Sequence, residues 1–286
     1  DMPMPDSDRS YMANVLWNPD LQKYQIWYDQ GSIDLVTYAE SVDGINWTNA
    51  VLTTGLNDVE GLQVGRAYVL YNSGWEYPYK AYLFGRGGDQ GDHVRFAQSK
   101  NGIAWENHQD LDMSDATVSG QTISSPDGHA VMYNPAFPEA PYRMYLKTGD
   151  FTSVMQSSDG INWLWKTYAT LDEGFHITAI VQIGENDYRA WGFRVYDTPG
   201  IQSFRSADGL EFEMLEDPVA VVGGGGPAGS WNDNRNYHPS VVYNGNGQFM
   251  LWRSGRNEAS GSYRMGFATG IDADLVTPVT DWEIHP

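Results

Sequence analysis

The residues of this sequence that could do acid–base chemistry gather just ahead of five apolar, strand-like segments. The first group is Asp6-Ser7-Asp8-Arg9-Ser10, and the second runs from Asp58 through Glu60 to Arg66. The third ends Asp127-Gly128-His129, the fourth is Asp172-Glu173-Gly174-Phe175-His176, and the fifth runs from Trp231 to His238-Pro239. Each group carries at least one carboxylate, and three of the six histidines lie in them. General acid–base catalysis needs two proton-handling groups in different environments. Asp8, Glu60, His129 and His238 are the candidates for that work. Arg66, His176, Trp231, Asp233 and Arg235, with Arg253 a little further on, are candidate substrate contacts. His238 follows an Asn-rich stretch and precedes a proline that fixes the backbone. It could ligate a metal, donate a proton, contact a ligand, or simply satisfy the backbone. No His-x-x-x-His spacing or carboxylate cage occurs, so a cation would draw ligands from several groups. The run Gly223 to Gly226 lacks the strand–helix setting of a phosphate cradle and reads as a loop.

What could position these groups is a repeat. Ser41-Val42-Asp43-Gly44-Ile45-Asn46-Trp47 returns as Ser99-Lys100-Asn101-Gly102-Ile103-Ala104-Trp105 and as Ser157-Ser158-Asp159-Gly160-Ile161-Asn162-Trp163. A fourth copy is Ser206-Ala207-Asp208-Gly209-Leu210-Glu211-Phe212, and a worn fifth is Thr269-Gly270-Ile271-Asp272. The copies start at 41, 99, 157, 206 and 269, so they lie 58, 58, 49 and 63 residues apart. That is the length of one four-stranded propeller blade. Asp-Gly or Asn-Gly supplies the positive φ of a tight turn. The aromatic residue three positions on can pack between neighbouring blades. Ahead of each turn lies an aromatic strand, such as Tyr24 to Tyr28 or Tyr142 to Leu146. Ahead of that lies an apolar one, such as Ala13 to Asn18 or Ala130 to Asn134.

The spacing predicts an all-β chain: a five-bladed β-propeller of four-stranded antiparallel blades around a central channel. Its single domain divides into blades near 9–57, 58–120, 121–172, 173–228 and 229–286. Met2 to Asp8 or Asp281 to Ile284 could supply the outer strand of the last blade. Chain direction puts the Ser-x-Asp-Gly turns on one face, which is expected to be inert. The carboxylate and histidine groups lie on the other, with Asp29 among the loops that join second to third strands.

Composition narrows the partners. The net charge is −20, which would repel a phosphate backbone, so nucleic acid is not expected. No apolar run approaches the length of a membrane span, so no membrane partner is expected either. There is no cysteine, which excludes disulfides and thiolate metal sites. The acidic surface suits a salty or extracellular setting, and a secreted or periplasmic protein is expected.

On the aromatic second strand, the Ser-x-Asp-Gly-x-x-Trp turn and the count of five, the chain resembles the five-bladed propeller glycoside hydrolases. That broad group includes arabinanases, invertases, levansucrases and neoagarooligosaccharide hydrolases. The resemblance covers nearly the whole chain and implies an Asp in blade one, an Asp in blade two and a Glu in blade three around a central funnel. Asp8 takes the first place, Asp58 or Glu60 the second, and blade three offers Asp127 instead of a glutamate. In some relatives a histidine is the acid, which brings His129 and His238 forward. Some hold a central calcium-like divalent cation near a blade-five histidine, which again points to His238. The resemblance thus implies hydrolysis of an oligo- or polysaccharide. A carbohydrate-binding propeller without catalysis, or one turned to other small-molecule chemistry, are the alternatives. For sugar-stacking aromatics, the sequence offers Trp231 and Tyr237 on one face and Trp75 and Tyr77 on the other.

Overall fold

The computed structural model describes residues 9–31, 35–56, 63–86, 93–111, 129–171, 174–194, 200–215, 225–272 and 275. Their strands form five antiparallel sheets, and the molecule is a five-bladed β-propeller. Blade one holds β1 (Ser10–Asn18), β2 (Lys23–Gln30), β3 (Leu35–Ser41) and β4 (Thr48–Leu52). Blade two holds β5 (Gln63–Tyr71), β6 (Tyr79–Arg86), β7 (His93–Ser99) and β8 (Trp105–Asp110). Blade three holds β9 (His129–Tyr133), β10 (Tyr142–Thr148), β11 (Phe151–Ser157) and β12 (Leu164–Tyr168). Blade four holds β13 (His176–Gly184), β14 (Asp187–Phe193), β15 (Ile201–Ser206) and the short β16 (Glu213–Met214). Blade five shows three strands among the described residues: β17 (Arg235–Gly245), β18 (Gln248–Arg256) and β19 (Tyr263–Ile271). Both segments expected to supply its outer strand lie outside the described residues. The first strands β1, β5, β9, β13 and β17 touch one another in that cyclic order and line the axis.

The aromatic second strands are buried on both faces, because each is wedged between two blades. Trp27, Tyr82, Tyr145, Trp191 and Trp252 are wholly buried in the five interblade cores. Four of them also reach a neighbour's turn. The Trp27 indole N–H donates to the Gly102 carbonyl at 2.7 Å, and Trp252 donates likewise to Gly44 at 2.7 Å. The Tyr82 hydroxyl donates to the Gly160 carbonyl at 3.1 Å and Tyr145 to Gly209 at 2.8 Å. At the fifth junction the worn turn offers Asp272, which accepts from Arg189 of blade four at 3.0 and 3.2 Å. The turn residue beyond each glycine packs edge-on to the same ring, as Trp105 does to Trp27 and Trp163 to Tyr82.

Within each turn the polar side chains do the folding. The Ser157 hydroxyl accepts the N–H groups of Asp159 and Gly160, and one Asp159 oxygen accepts those of Ile161 and Asn162 at 2.8 Å. Those donors, with the Ser157 hydroxyl, hold Asp159 near pKa 2 against partial desolvation. Asn101 makes the same pattern without a charge. Gly160 has φ +82°, and a Cβ there would meet the Tyr82 hydroxyl at 2.5 Å, so the latch and the turn both require glycine.

Candidate active site at the channel mouth

The first strands are irregular where they enter the channel. Register shifts interrupt β1 between Tyr11 and Asn14, β5 between Gly65 and Tyr68, and β17 between Tyr237 and Ser240. In each of the three a non-glycine residue takes positive φ: Met12 at 52°, Arg66 at 53° and His238 at 47°. Such bulges re-aim side chains, and strained residues of this kind gather at functional sites. Pro239 sits within the third bulge, where a proline in a sheet is tolerated. Pro also disfavours helical backbone in the residue before it, which makes His238 the more constrained of the three.

Beside these bulges lies a buried carboxyl. Asp29 lies near the end of β2, paired with Tyr11 and Val36, and its side chain crosses to blade two. Its two oxygens accept the Arg66 backbone N–H at 3.0 and 3.1 Å. It packs over Gly65, where a Cβ would come within 2.8 Å. Burial pushes the Asp29 pKa up to about 7, although the Arg66 N–H and guanidinium pull against it. The carboxyl therefore titrates near neutrality, a property that clusters at functional sites. The Arg66 guanidinium lies 4.9 Å over the Phe84 ring, with its Nε 2.9 Å from the Met12 sulfur. The Tyr237 hydroxyl, close enough to feel both charges, is buried with no hydrogen-bond partner among the described residues.

Of the residues expected to form the site, the structure brings Arg66, His129 and His238 to one small cavity of about 30 Å³, shared with Met12, Thr178 and Ser240. The His129 Nε2–H donates to the Tyr82 carbonyl at 3.0 Å. Burial above all, with the Arg66 charge, lowers its pKa to about 4, so the ring stays neutral near pH 7. His238 is half-buried, its ring 4.8 Å from Phe193 and 5.3 Å from Tyr237. His176 begins β13, buried and paired with Phe193. Arg235 lies 4.9 Å over the Tyr237 ring.

Three candidates belong to the blade-five surface instead. Trp231 lies flat on that sheet, against Gly255 and Gly266, and faces Arg253 at 5.4 Å. Arg253 bonds Asn236 at 3.1 Å and the Phe267 carbonyl at 3.3 Å. Asp233 accepts the N–H groups of Gly229 and Glu258, at 2.7 and 2.6 Å, and ties two loops together. Asp8, Asp58, Glu60 and Asp127 lie outside the described residues. Of the opposite-face aromatics, Trp75 packs between blades against Tyr133 at 4.9 Å and Tyr142 at 6.0 Å.

A calcium-like ion takes six to eight oxygen ligands. His238 shares its cavity with the Thr178 and Ser240 hydroxyls and the Arg66 guanidinium, beside the rings of Phe193 and Tyr237. Among the described residues no three His, Asp or Glu side chains converge as metal ligands.

No protein-family model matches the sequence, and no curated protein matches it. Solved structures do match the fold. The catalytic domain of the Coprinopsis cinerea GH62 α-L-arabinofuranosidase superposes with TM-score 0.66 at 13% identity, over 94% of each chain. A GH43 enzyme from Xanthomonas citri gives 0.61 at 12% identity, over 94% of this chain and 89% of that one. The chain has the five-bladed propeller fold of the glycoside hydrolases. An N-acetylgalactosamine deacetylase from F. plautii, solved with blood group B trisaccharide, shares the fold too. It gives 0.65 at 17% identity, over 96% of this chain and 95% of that one.

The sequence places Asp29 on the functional face but gives it no role of its own. It is expected in a loop, whereas β2 runs on to Gln30. The one available signal is a lone carboxylate ending an otherwise apolar and aromatic run. On the face expected to be inert, two concavities open beside the loop between β9 and β10.

Proposed function

We propose that the chain hydrolyses a glycosidic bond of an oligo- or polysaccharide at the channel mouth. The observation that carries the reading is the convergence of three strained inner-strand residues, Met12, Arg66 and His238, beside a buried carboxyl that titrates near pH 7. The fold shared with arabinofuranosidase and GH43 structures supports it.

In this reading Asp8 and Glu60, which lead into β1 and β5, are the carboxylates that flank the bond. One activates water and the other, or His238, protonates the leaving oxygen. His129 is neutral, so it orients and does not supply the proton. Arg66, His176 and Arg235 contact the sugar. Asp29 is a positioning residue: it holds the Arg66 backbone and does not reach the surface. No step is routed through a cation. A propeller that binds carbohydrate without turning it over is the alternative.

The test is turnover on a panel of oligosaccharides, with and without added divalent cation, for the native protein, Asp8→Asn and His238→Ala. Loss of an acid or base costs roughly 100- to 10,000-fold, so Asp8→Asn should lose at least 100-fold with unchanged melting temperature. New reducing ends mark hydrolysis, and released acetate would mark deacetylation instead. Unchanged turnover in both variants would remove this site, and binding without turnover would leave a lectin.

A further inference from the structure

The loops joining first to second strands in blades two and three are built alike. In blade two the Asn72 N–H donates to the Pro78 carbonyl at 2.9 Å and the Trp75 N–H to the Asn72 carbonyl at 3.1 Å. In blade three the Asn134 N–H donates to Pro141 at 2.8 Å and the Phe137 N–H to Asn134 at 3.2 Å. Phe137 is therefore the counterpart of Trp75. Their surroundings differ. Trp75 is received by Tyr133, the residue of β9 that pairs with Tyr142. The corresponding residue of β13, paired with Tyr188, is Gln182. With no aromatic ring to receive it, Phe137 stays 43% exposed. Two clefts open on either side of it, of about 320 and about 600 Å³, sharing Met132, Asn134, Ala136 and Phe137 as a common wall.

The lining suits a sugar. An aromatic ring stands proud between planar amides: Gln156 in one cleft and Gln182 in the other, with Asn134 donating to Gln182 at 2.7 Å. Pyranose rings present a C–H face to aromatics and a hydroxyl rim to amides, and binding sites pair apolar walls with a few placed polar groups. The charges nearly balance, with Arg143 and Glu139 in one cleft and Glu185 in the other. Pro135, Pro138 and Pro141 stiffen the loop, which reduces the ordering cost of binding. A ridge with a cleft on each side fits a chain of linked units better than a single ring.

We infer that blades three and four form a second glycan site, on the face opposite the channel mouth, which binds a linear neutral oligosaccharide astride Phe137. It is independent of the site proposed at the channel mouth. The test is calorimetric titration of neutral oligosaccharides of the cello-, xylo-, arabino-, galacto- and manno- series. The proteins are the native chain, His238→Ala, Phe137→Ala and Gln182→Tyr, with melting temperatures to establish folding. Gln182→Tyr rebuilds the blade-two-to-three arrangement, so it fills the cleft without a foreign geometry. Binding that survives in His238→Ala but weakens at least tenfold in Phe137→Ala and Gln182→Tyr is the expected result. Turnover of short soluble substrates should be unchanged in Phe137→Ala, which separates this site from the first. The inference is overturned if none of the oligosaccharides binds, or if Phe137→Ala binds as the native chain does. It is overturned equally if Phe137→Ala abolishes only self-association, which would make the ridge a protein contact.

Discussion

Asp29 makes one side chain a reporter of pH for the whole molecule. Unfolded, it loses its proton near its ordinary pKa of 3.8, while folded it keeps the proton to about 7. Below about pH 4 both states are protonated, and between there and about 7 only the folded one is. The folded state therefore binds more protons in that window, and stability falls as pH rises through it. The loss is at most about 4 kcal/mol. An asparagine in its place could still accept the Arg66 N–H but has no charge to bury. We predict that Asp29→Asn flattens the fall in melting temperature between pH 5 and pH 7.5 relative to the native chain. An equal slope in both would show that Asp29 does not hold its proton there.

At the scale of the element, the Ser-x-Asp-Gly turn is a small machine of side-chain acceptors. Asp159→Ala removes the acceptor of two backbone N–H groups, both exposed enough for water to take over part of the loss. The expected cost is about 1–2 kcal/mol in denaturant unfolding. Asp159→Asn should cost less, because Asn101 already serves the same role in blade two. These turns were legible because each is specified within seven neighbouring residues. The bulges at Met12, Arg66 and His238 were not, since positive φ favours glycine and asparagine and none of the three advertises it. The Asp29 contact with Arg66 spans 37 residues and two blades, and no local pattern encodes it. The exposure of Phe137 depends likewise on Gln182, one blade away, so the loop's own sequence gives no sign of it.

At the scale of the whole molecule, the ring closes where blade five meets blade one. Trp252 donates to Gly44, the Met12 N–H to the Ser254 hydroxyl at 2.7 Å, and the Val15 N–H to the Ser240 hydroxyl at 2.8 Å. Tyr11 stacks on Tyr263 at 4.9 Å. Trp252→Ala would empty a wholly buried site and strand the Gly44 carbonyl. Its expected cost is roughly 3–5 kcal/mol, read from urea unfolding. The same latch recurs at four of the five junctions, and Arg189 on Asp272 serves at the fifth, so each blade grasps the turn of its neighbour. A blade that left would uncover a bare acceptor in one neighbour and lose the grip of the other, so the damage never stays with one unit. Fluorescence and far-ultraviolet signals should then melt together, because a chain of mutual handholds has no half-open state worth occupying.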